Sequence, residues 1–192
     1  MTEILVAMGV FGVFSAGLMS SWFTVQTTAV NAMSYSQRQN DQMRVIDYLK
    51  RDIRRATQVA IYNGATPVTD TTTFGNELRL TIPDYYADTR EEDHASGPKT
   101  TSVPVRTGTD ITYGTALTVR FSVVNGAAIR DEAGVPRSVG AAKDSFALSF
   151  KNEPDGAIRC RVAYAQPMQG GTGRTLTRSL DFLGYPRFQL QK

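Results

Sequence analysis

Apolar residues fill the chain from Ile4 to Val25 almost without interruption (ILVAMGVFGVFSAGLMSSWFTV), and no Asp, Glu, Lys or Arg occurs between Ile4 and Gln37. As an α-helix, that 22-residue run spans about 33 Å, the thickness of a bilayer's hydrocarbon core. The pattern predicts a transmembrane helix. A secretory signal peptide opens on basic residues and has a shorter apolar stretch, whereas the only early charge here is Glu3. Trp22 and Phe23 suit an anchor at the membrane–water interface. Gly9, Gly12 and Gly17 weaken a helix in water but are tolerated in membrane helices, where they permit close lateral approach. Gly12, Ala16 and Ser20 fall four apart on one face, a small-xxx-small row through which helices touch in lipid.

Beyond the apolar run, no proline or glycine breaks the chain from Ala29 to Asn63, so the helix is expected to continue to Tyr62 and stop at Asn63-Gly64. Met43, Ile46, Leu49 or Lys50, Ile53, Ala56 and Ala60 follow three-to-four spacing and form one apolar face, with Ile46, Leu49, Ile53 and Ala56 expected to pack the helix on a globular head. Asp41, Arg44, Asp47, Lys50, Arg51, Asp52, Arg54 and Arg55 are assigned to the opposite face. A helix of about 60 residues is about 90 Å long. No small domain covers that length, so much of it must project.

From Asn63 onward the period changes to two. Alternation in ELRLTI, LTVRFSVV and SFALSFK, and through Ile158, Cys160, Val162 and Tyr164, predicts strands of a half-buried antiparallel sheet, with Asn125-Gly126 turning a hairpin into AAIR. The intervening stretches Pro67–Phe74, Asp84–Pro104 and Gln166–Arg174 read as surface loops. The sheet's apolar face needs a cover, and the striped half of the helix supplies one. The expected fold class is therefore α+β: one long N-terminal helix, half membrane-type and half amphipathic, packed on an antiparallel sheet head.

Composition narrows the function. The 192 residues carry 21 Lys and Arg against 18 Asp and Glu, a charge of +3 that does not by itself imply nucleic acid. Residues 38–62 hold six basic and three acidic side chains, so the excess sits on the helix, either as a solvated face or toward an anionic partner or lipid headgroups. One cysteine, Cys160, excludes an intrachain disulfide, and one histidine, His94, removes Ser-His-Asp triads and most histidine metal sites. Cys160 reads as a core thiol. Glu91, Glu92, Asp93 and His94 lack the spacing of a calcium loop, QPMQGGTGR lacks the ending of a phosphate loop, and Tyr85 and Tyr86 read as sheet-edge packing rather than base-stacking residues. No cofactor or metal is expected, and no acid/base constellation points to an enzyme.

Glu3 leads the apolar helix. An ionised carboxylate in lipid costs several kcal/mol without a partner, although a helix N-terminus favours it. Either Glu3 lies in the headgroup layer as a first-turn acid, or it pairs with a cation from another chain, the natural one being a neighbour's α-amino group.

MTEILVAMGVFGV resembles the start of a mature type IV pilin or type II secretion pseudopilin, Phe-Thr-x-x-Glu followed by an apolar helix. Asp47–Val59, DYLKRDIRRATQV, is similar to the Leu-x-x-Asp-Leu-Arg-x-Ala segment of J-type minor pseudopilins and related minor pilins, with Asp52, Arg54 and Ala56 on matching positions. The resemblance implies that Glu3 neutralises the N-terminal amine of an adjacent subunit during assembly and that Glu3, Gly12, Ala16 and Ser20 serve assembly. It divides the chain into a transmembrane and filament-core helix (1–28), an amphipathic continuation (29–62) and a β-rich head (63–192). The partners implied are other pilin or pseudopilin subunits, an inner-membrane assembly platform, a prepilin peptidase and membrane lipid, with no nucleic acid. In the family pattern the glutamate is fifth and here it is third, so two residues and a basic leader are expected upstream of Met1. Such a leader would offset the basic flank formed by Arg38, Arg44 and Lys50 and place the head in the periplasm. The rival expectation is a single-pass membrane-anchored extracytoplasmic binding module that forms no filaments, with a membrane-tethered enzyme third.

Overall fold

The computed structural model describes residues 2–83, 105–107, 110–112, 116–140, 146–168 and 175–186. Helix α1 (Thr2–Arg55) precedes eleven strands: β1 (Gln58–Asn63), β2 (Thr66–Val68), β3 (Glu77–Pro83), β4 (Val105–Thr107), β5 (Asp110–Thr112), β6 (Ala116–Val124), β7 (Ala127–Glu132), β8 (Val135–Gly140), β9 (Phe146–Asn152), β10 (Ile158–Pro167) and β11 (Thr175–Gly184). The fold is α+β, one long helix packed on antiparallel sheets. A six-stranded sheet has the order β2-β1-β3-β6-β7-β8, a three-stranded sheet has β11-β10-β9, and β4 pairs with β5.

The helix ends seven residues earlier than the absence of Pro and Gly suggests. Ala56 N–H donates to Ile53 O at 3.1 Å, closing the last turn, and Thr57 then bonds to Thr81 O through both its N–H (2.8 Å) and its hydroxyl (3.1 Å). That pull, acting on the β-favouring run QVAIYN, commits residues 58–63 to β1 beside β3, so Val59 and Ala60 belong to a strand and not to a helical stripe. Asn63-Gly64 is correspondingly a hairpin turn between β1 and β2, with Gly64 at φ 62°. The predicted Asn125-Gly126 hairpin forms as read, both residues at positive φ. The Gln166–Arg174 loop begins later than read: Gln166 and Pro167 extend β10, and residues 169–174 lie outside the described residues, as do Tyr85, Tyr86 and Glu91 to His94. Of the Thr-rich loop expected at Pro67–Phe74, Pro67 and Val68 belong to β2.

The sheets meet where Gly75 and Phe150 exchange backbone hydrogen bonds of 2.8 and 2.9 Å. A Cβ on Gly75 would stand 2.5 Å from the Tyr62 carbonyl oxygen, so only glycine permits this approach. Val45, Ile46, Leu49 and Ile53 of α1 join Leu78, Leu80, Ile82, Val119, Phe121, Phe146, Leu148, Phe150, Ile158, Cys160, Val162 and Tyr164 in a single core.

Candidate assembly and membrane surface

Two stretches of α1 share one geometry and differ in surroundings. In the second, Ile46, Leu49 and Ile53 lie in the core, at most 4% exposed, and Ala56, expected on the helix, is buried just past its end. Gln42, Val45 and Asp52 are buried beside them, while Met43 faces solvent. Asp52 thus belongs to the packed face, contrary to its assignment to the charged one. Its carboxylate accepts from Arg130 Nε at 2.6 Å and from Arg51 Nε at 3.3 Å, and Arg130 also pairs with Glu132. Burial opposes the Arg130 charge, but the hydrogen bonds it donates to Asp52 and Glu132 outweigh that and raise its pKa. Tyr48 lies beneath two guanidiniums, 4.8 Å from that of Arg51 and 5.9 Å from that of Arg130. This clamp fixes helix to sheet at β7. The signal for it was present: Asp52 follows Leu49 by three and Asp52 precedes Ile53 by one, and Arg130 shares a strand face with Ala128.

Higher on the helix the seam turns polar. Gln42 Nε2 donates to Val162 O at 2.7 Å, Arg178 of β11 donates to the Tyr35 hydroxyl, and Gln166 Nε2 reaches Asn31 O at 3.5 Å. Among the described residues, Asn31 is the position of α1 nearest the N-terminus with a hydrogen bond to the head.

From there to Thr2 the helix is bare. Ile4, Leu5, Val6, Met8, Val10, Phe11, Val13, Phe14, Leu18, Met19, Trp22, Phe23 and Val25 are each more than half exposed and occupy every side of the rod. A helix apolar all round requires lipid or other protein around it. Among the described residues this is the one helix long and apolar enough to cross a membrane, and no part of its most apolar window is buried. Where polar residues return, the hydroxyls of Thr24, Thr27 and Thr28 donate to the carbonyls of Ser20, Phe23 and Thr24 at 2.8 to 3.0 Å, which pairs these three donors within the helix.

Gly12, Ala16 and Ser20 lie on one exposed face of this stretch. A Cβ at Gly9, Gly12 or Gly17 would meet nothing within 4 Å, so no contact inside the molecule calls for glycine there. Each costs about 1 kcal/mol of helix propensity relative to Ala. At 100° per residue Glu3 stands about 180° around the axis from Gly12, so the acid and the small-residue row address different neighbours. Glu3 forms no ion pair or hydrogen bond with a described residue, and the nearest Lys or Arg in sequence, Arg38, is about 52 Å down the axis.

Other candidate chemistry is committed or enclosed. Burial pushes the Cys160 thiol far up, which keeps it protonated. An open cleft of about 600 Å³ is lined by Thr57, Thr69, Thr71, Asn152 and Glu153. There Asn152 Nδ2 donates to Val68 O, and Glu153, its pKa lowered chiefly by the hydrogen bond from Arg159, also faces Lys151. No cluster of three or more metal-ligating residues occurs among the described residues.

The arrangement defines a class by shape, a long apolar N-terminal helix on an antiparallel sheet head, as in pilins. No protein-family model, curated protein or solved structure matches the chain.

Proposed function

We propose that the chain is a minor pilin or pseudopilin subunit, held in the inner membrane by α1 and assembled through that helix into a type IV pilus or type II secretion pseudopilus. The observation that carries this reading is the bare apolar half of α1, continuous with a half locked into the head. Such a rod has two favourable environments, lipid and a bundle of like rods, and passage from one to the other needs no refolding of the head. Three glycines without an intramolecular purpose fit lateral packing.

Glu3 supplies direction. Moving its carboxylate into lipid or a helix bundle is costly unless a cation meets it, and its own helix terminus offsets only about 0.3–1 kcal/mol. A neighbour's α-amino group set one step along the bundle neutralises it and fixes axial register, while Gly12, Ala16 and Ser20 accept a second neighbour on the far side. The head lies in the periplasm. Its partners are sister subunits, the inner-membrane assembly platform and, on the precursor, the prepilin peptidase.

The test is incorporation into sheared filaments by cells making the full chain. Glu3→Ala should abolish incorporation while the head keeps its protease resistance and Glu3→Asp restores part of it. Normal incorporation of Glu3→Ala would remove the electrostatic register.

A further inference from the structure

Arg55, the last residue of α1, stands about 45 Å past Val25 along the axis, and the open cleft of about 600 Å³ lies just beyond it. Residues 57–59 after the helix, 69–71 after β2 and 152–156 between β9 and β10 frame it. Both loops are fixed by their own hydrogen bonds. Asp70 Oδ1 accepts from Thr72 N–H at 2.8 Å, Thr73 N–H at 2.6 Å and the Thr72 hydroxyl at 2.9 Å. Glu153 N–H donates to Ala157 O and Gly156 N–H to Glu153 O, each at 2.9 Å. Asn152 Nδ2 ties the second loop to β2 through Val68 O at 3.1 Å. The walls of the cleft are therefore set in advance, which lowers the ordering cost of binding.

The polar groups here are held by one atom and open at another. Asn152 is tied through Nδ2, which leaves Oδ1, and Arg159 and Lys151 both address Glu153 Oε1, which leaves Oε2. The side chains of Gln58, Thr69 and Thr71 line the cleft with no hydrogen bond among the described residues. Among those residues no Lys or Arg lines it, which disfavours an anion, and Glu153 already has two cations, which disfavours a third. The open groups are side chains from separate loops, not the row of edge amides that an added peptide strand needs. A neutral polyhydroxylated ligand fits them, because each of its hydroxyls donates to a carboxylate or amide oxygen and accepts from an amide or threonine. Tyr185 supplies an apolar surface. It precedes Pro186, which lines the cleft, and its hydroxyl donates to Asp155 Oδ2 in the second loop at 3.3 Å, so the ring, 41% exposed, spans the rim between them.

We propose that this cleft binds a neutral oligosaccharide, with Glu153 and Asn152 accepting from neighbouring hydroxyls, Gln58, Thr69 and Thr71 completing the hydrogen bonds, and Tyr185 stacking on a sugar ring. The inference goes beyond the assembly reading and does not depend on it. The site lies at the end of α1 remote from its apolar half, so it operates with that half in lipid or in a bundle.

The experiment follows backbone amides of the isotope-labelled full chain by nuclear magnetic resonance in dodecylphosphocholine, a detergent without a sugar headgroup. The probes are soluble tetrasaccharides of glucose, mannose, galactose and N-acetylglucosamine, with trilysine as the cationic comparison. At least one tetrasaccharide should saturably shift the amides of Gln58, Thr69, Thr71, Glu153 and Gly156 and leave those of β7 in place. Tyr185→Ala should weaken that binding about fivefold and Tyr185→Phe should keep it within about twofold, because the ring and not the hydroxyl makes the contact. Unchanged amide shifts at Cys160 and Val162 show that each variant keeps its core. Saturable shifts with no tetrasaccharide, shifts scattered away from the cleft, or undiminished binding by Tyr185→Ala overturn the site. The same amides shifted by trilysine alone overturn the saccharide in favour of a cation. None of these results bears on filament incorporation, so the site and the assembly reading fail separately.

Discussion

The two halves of α1 invert the usual relation between apolarity and burial. Residues 4–25 are the most apolar stretch of the chain and stand exposed, whereas residues 42–53 carry Gln42 and Asp52 into the core at 0% exposure. Backbone geometry is the same throughout, so the difference lies in the arrangement of side chains. A three-to-four stripe gives the second half one face that a sheet can cover, with its charges outside that face except where a guanidinium waits. The first half has no polar side, and a head of this size cannot wrap it. Burial within one chain follows periodicity, and an apolar surface that lacks periodicity is a demand for surroundings outside the chain.

The sharpest way to break this comparison is to truncate one leucine in each half. Leu49→Ala should destabilise the head by about 3–4 kcal/mol through lost transfer energy and a cavity. Leu18→Ala should leave urea unfolding of the head, followed by near-ultraviolet circular dichroism in detergent, within about 0.5 kcal/mol. Equal losses would mean that the bare half contributes to the head.

A second pair tests the charges. Asp52→Asn leaves Arg130 buried with only Glu132 for an anionic partner and should cost about 3 kcal/mol, whereas Asp47→Asn on the exposed face should cost less than about 0.5 kcal/mol. The same urea titration reads both, and a cheap Asp52→Asn would show that the clamp is dispensable.

Glycines give a smaller contrast. A Cβ at Gly184 would stand 2.9 Å from Ile53 Cδ1, so Gly184→Ala should cost about 1–2 kcal/mol. Gly17→Ala meets open space and should leave the head unchanged while raising helicity in detergent.

The smallest effect is confined to the head and sharpens the comparison through pH. The hydrogen bond from Arg161 holds the Asp181 carboxyl below its usual range. Its contribution is therefore present above the unfolded carboxylate value near 4 and is lost as pH falls through the lowered folded value. Asp181→Asn should cost about 0.5 kcal/mol or less at pH 7, as screened surface pairs do, and the gap in Tm should narrow as pH falls below the unfolded carboxylate value.

Much of the architecture is legible from period alone. The 3.6-to-2 switch locates helix and sheet, and alternation in residues 77–82, 117–124, 146–151 and 158–164 marks β3, β6, β9 and β10. What escaped was set by partners. The end of α1 depends on Thr57 finding Thr81, which no local rule near Arg55 records. β11 was hidden because Arg178 and Gly184 fall between and after Leu176, Leu180 and Phe182 on its inward-alternating positions, and its first half is exposed on both faces. Asp52 stands three residues past Leu49 on the stripe, but the guanidinium that makes its burial possible is 78 residues away, so the spacing alone did not decide its face. The proposed assembly row is visible in sequence as small residues four apart. The absence of any intramolecular use for its glycine required the structure.

The most direct test of the account is intermolecular cross-linking of single cysteines placed one at a time from Gly9 to Ser20, in the full chain reconstituted in a bilayer. The account predicts dimer yield with a period near 3.6 residues, peaking at Gly12, Ala16 and Ser20. A flat, low yield at every position would contradict it, because the bare half of α1 would then be a solitary anchor.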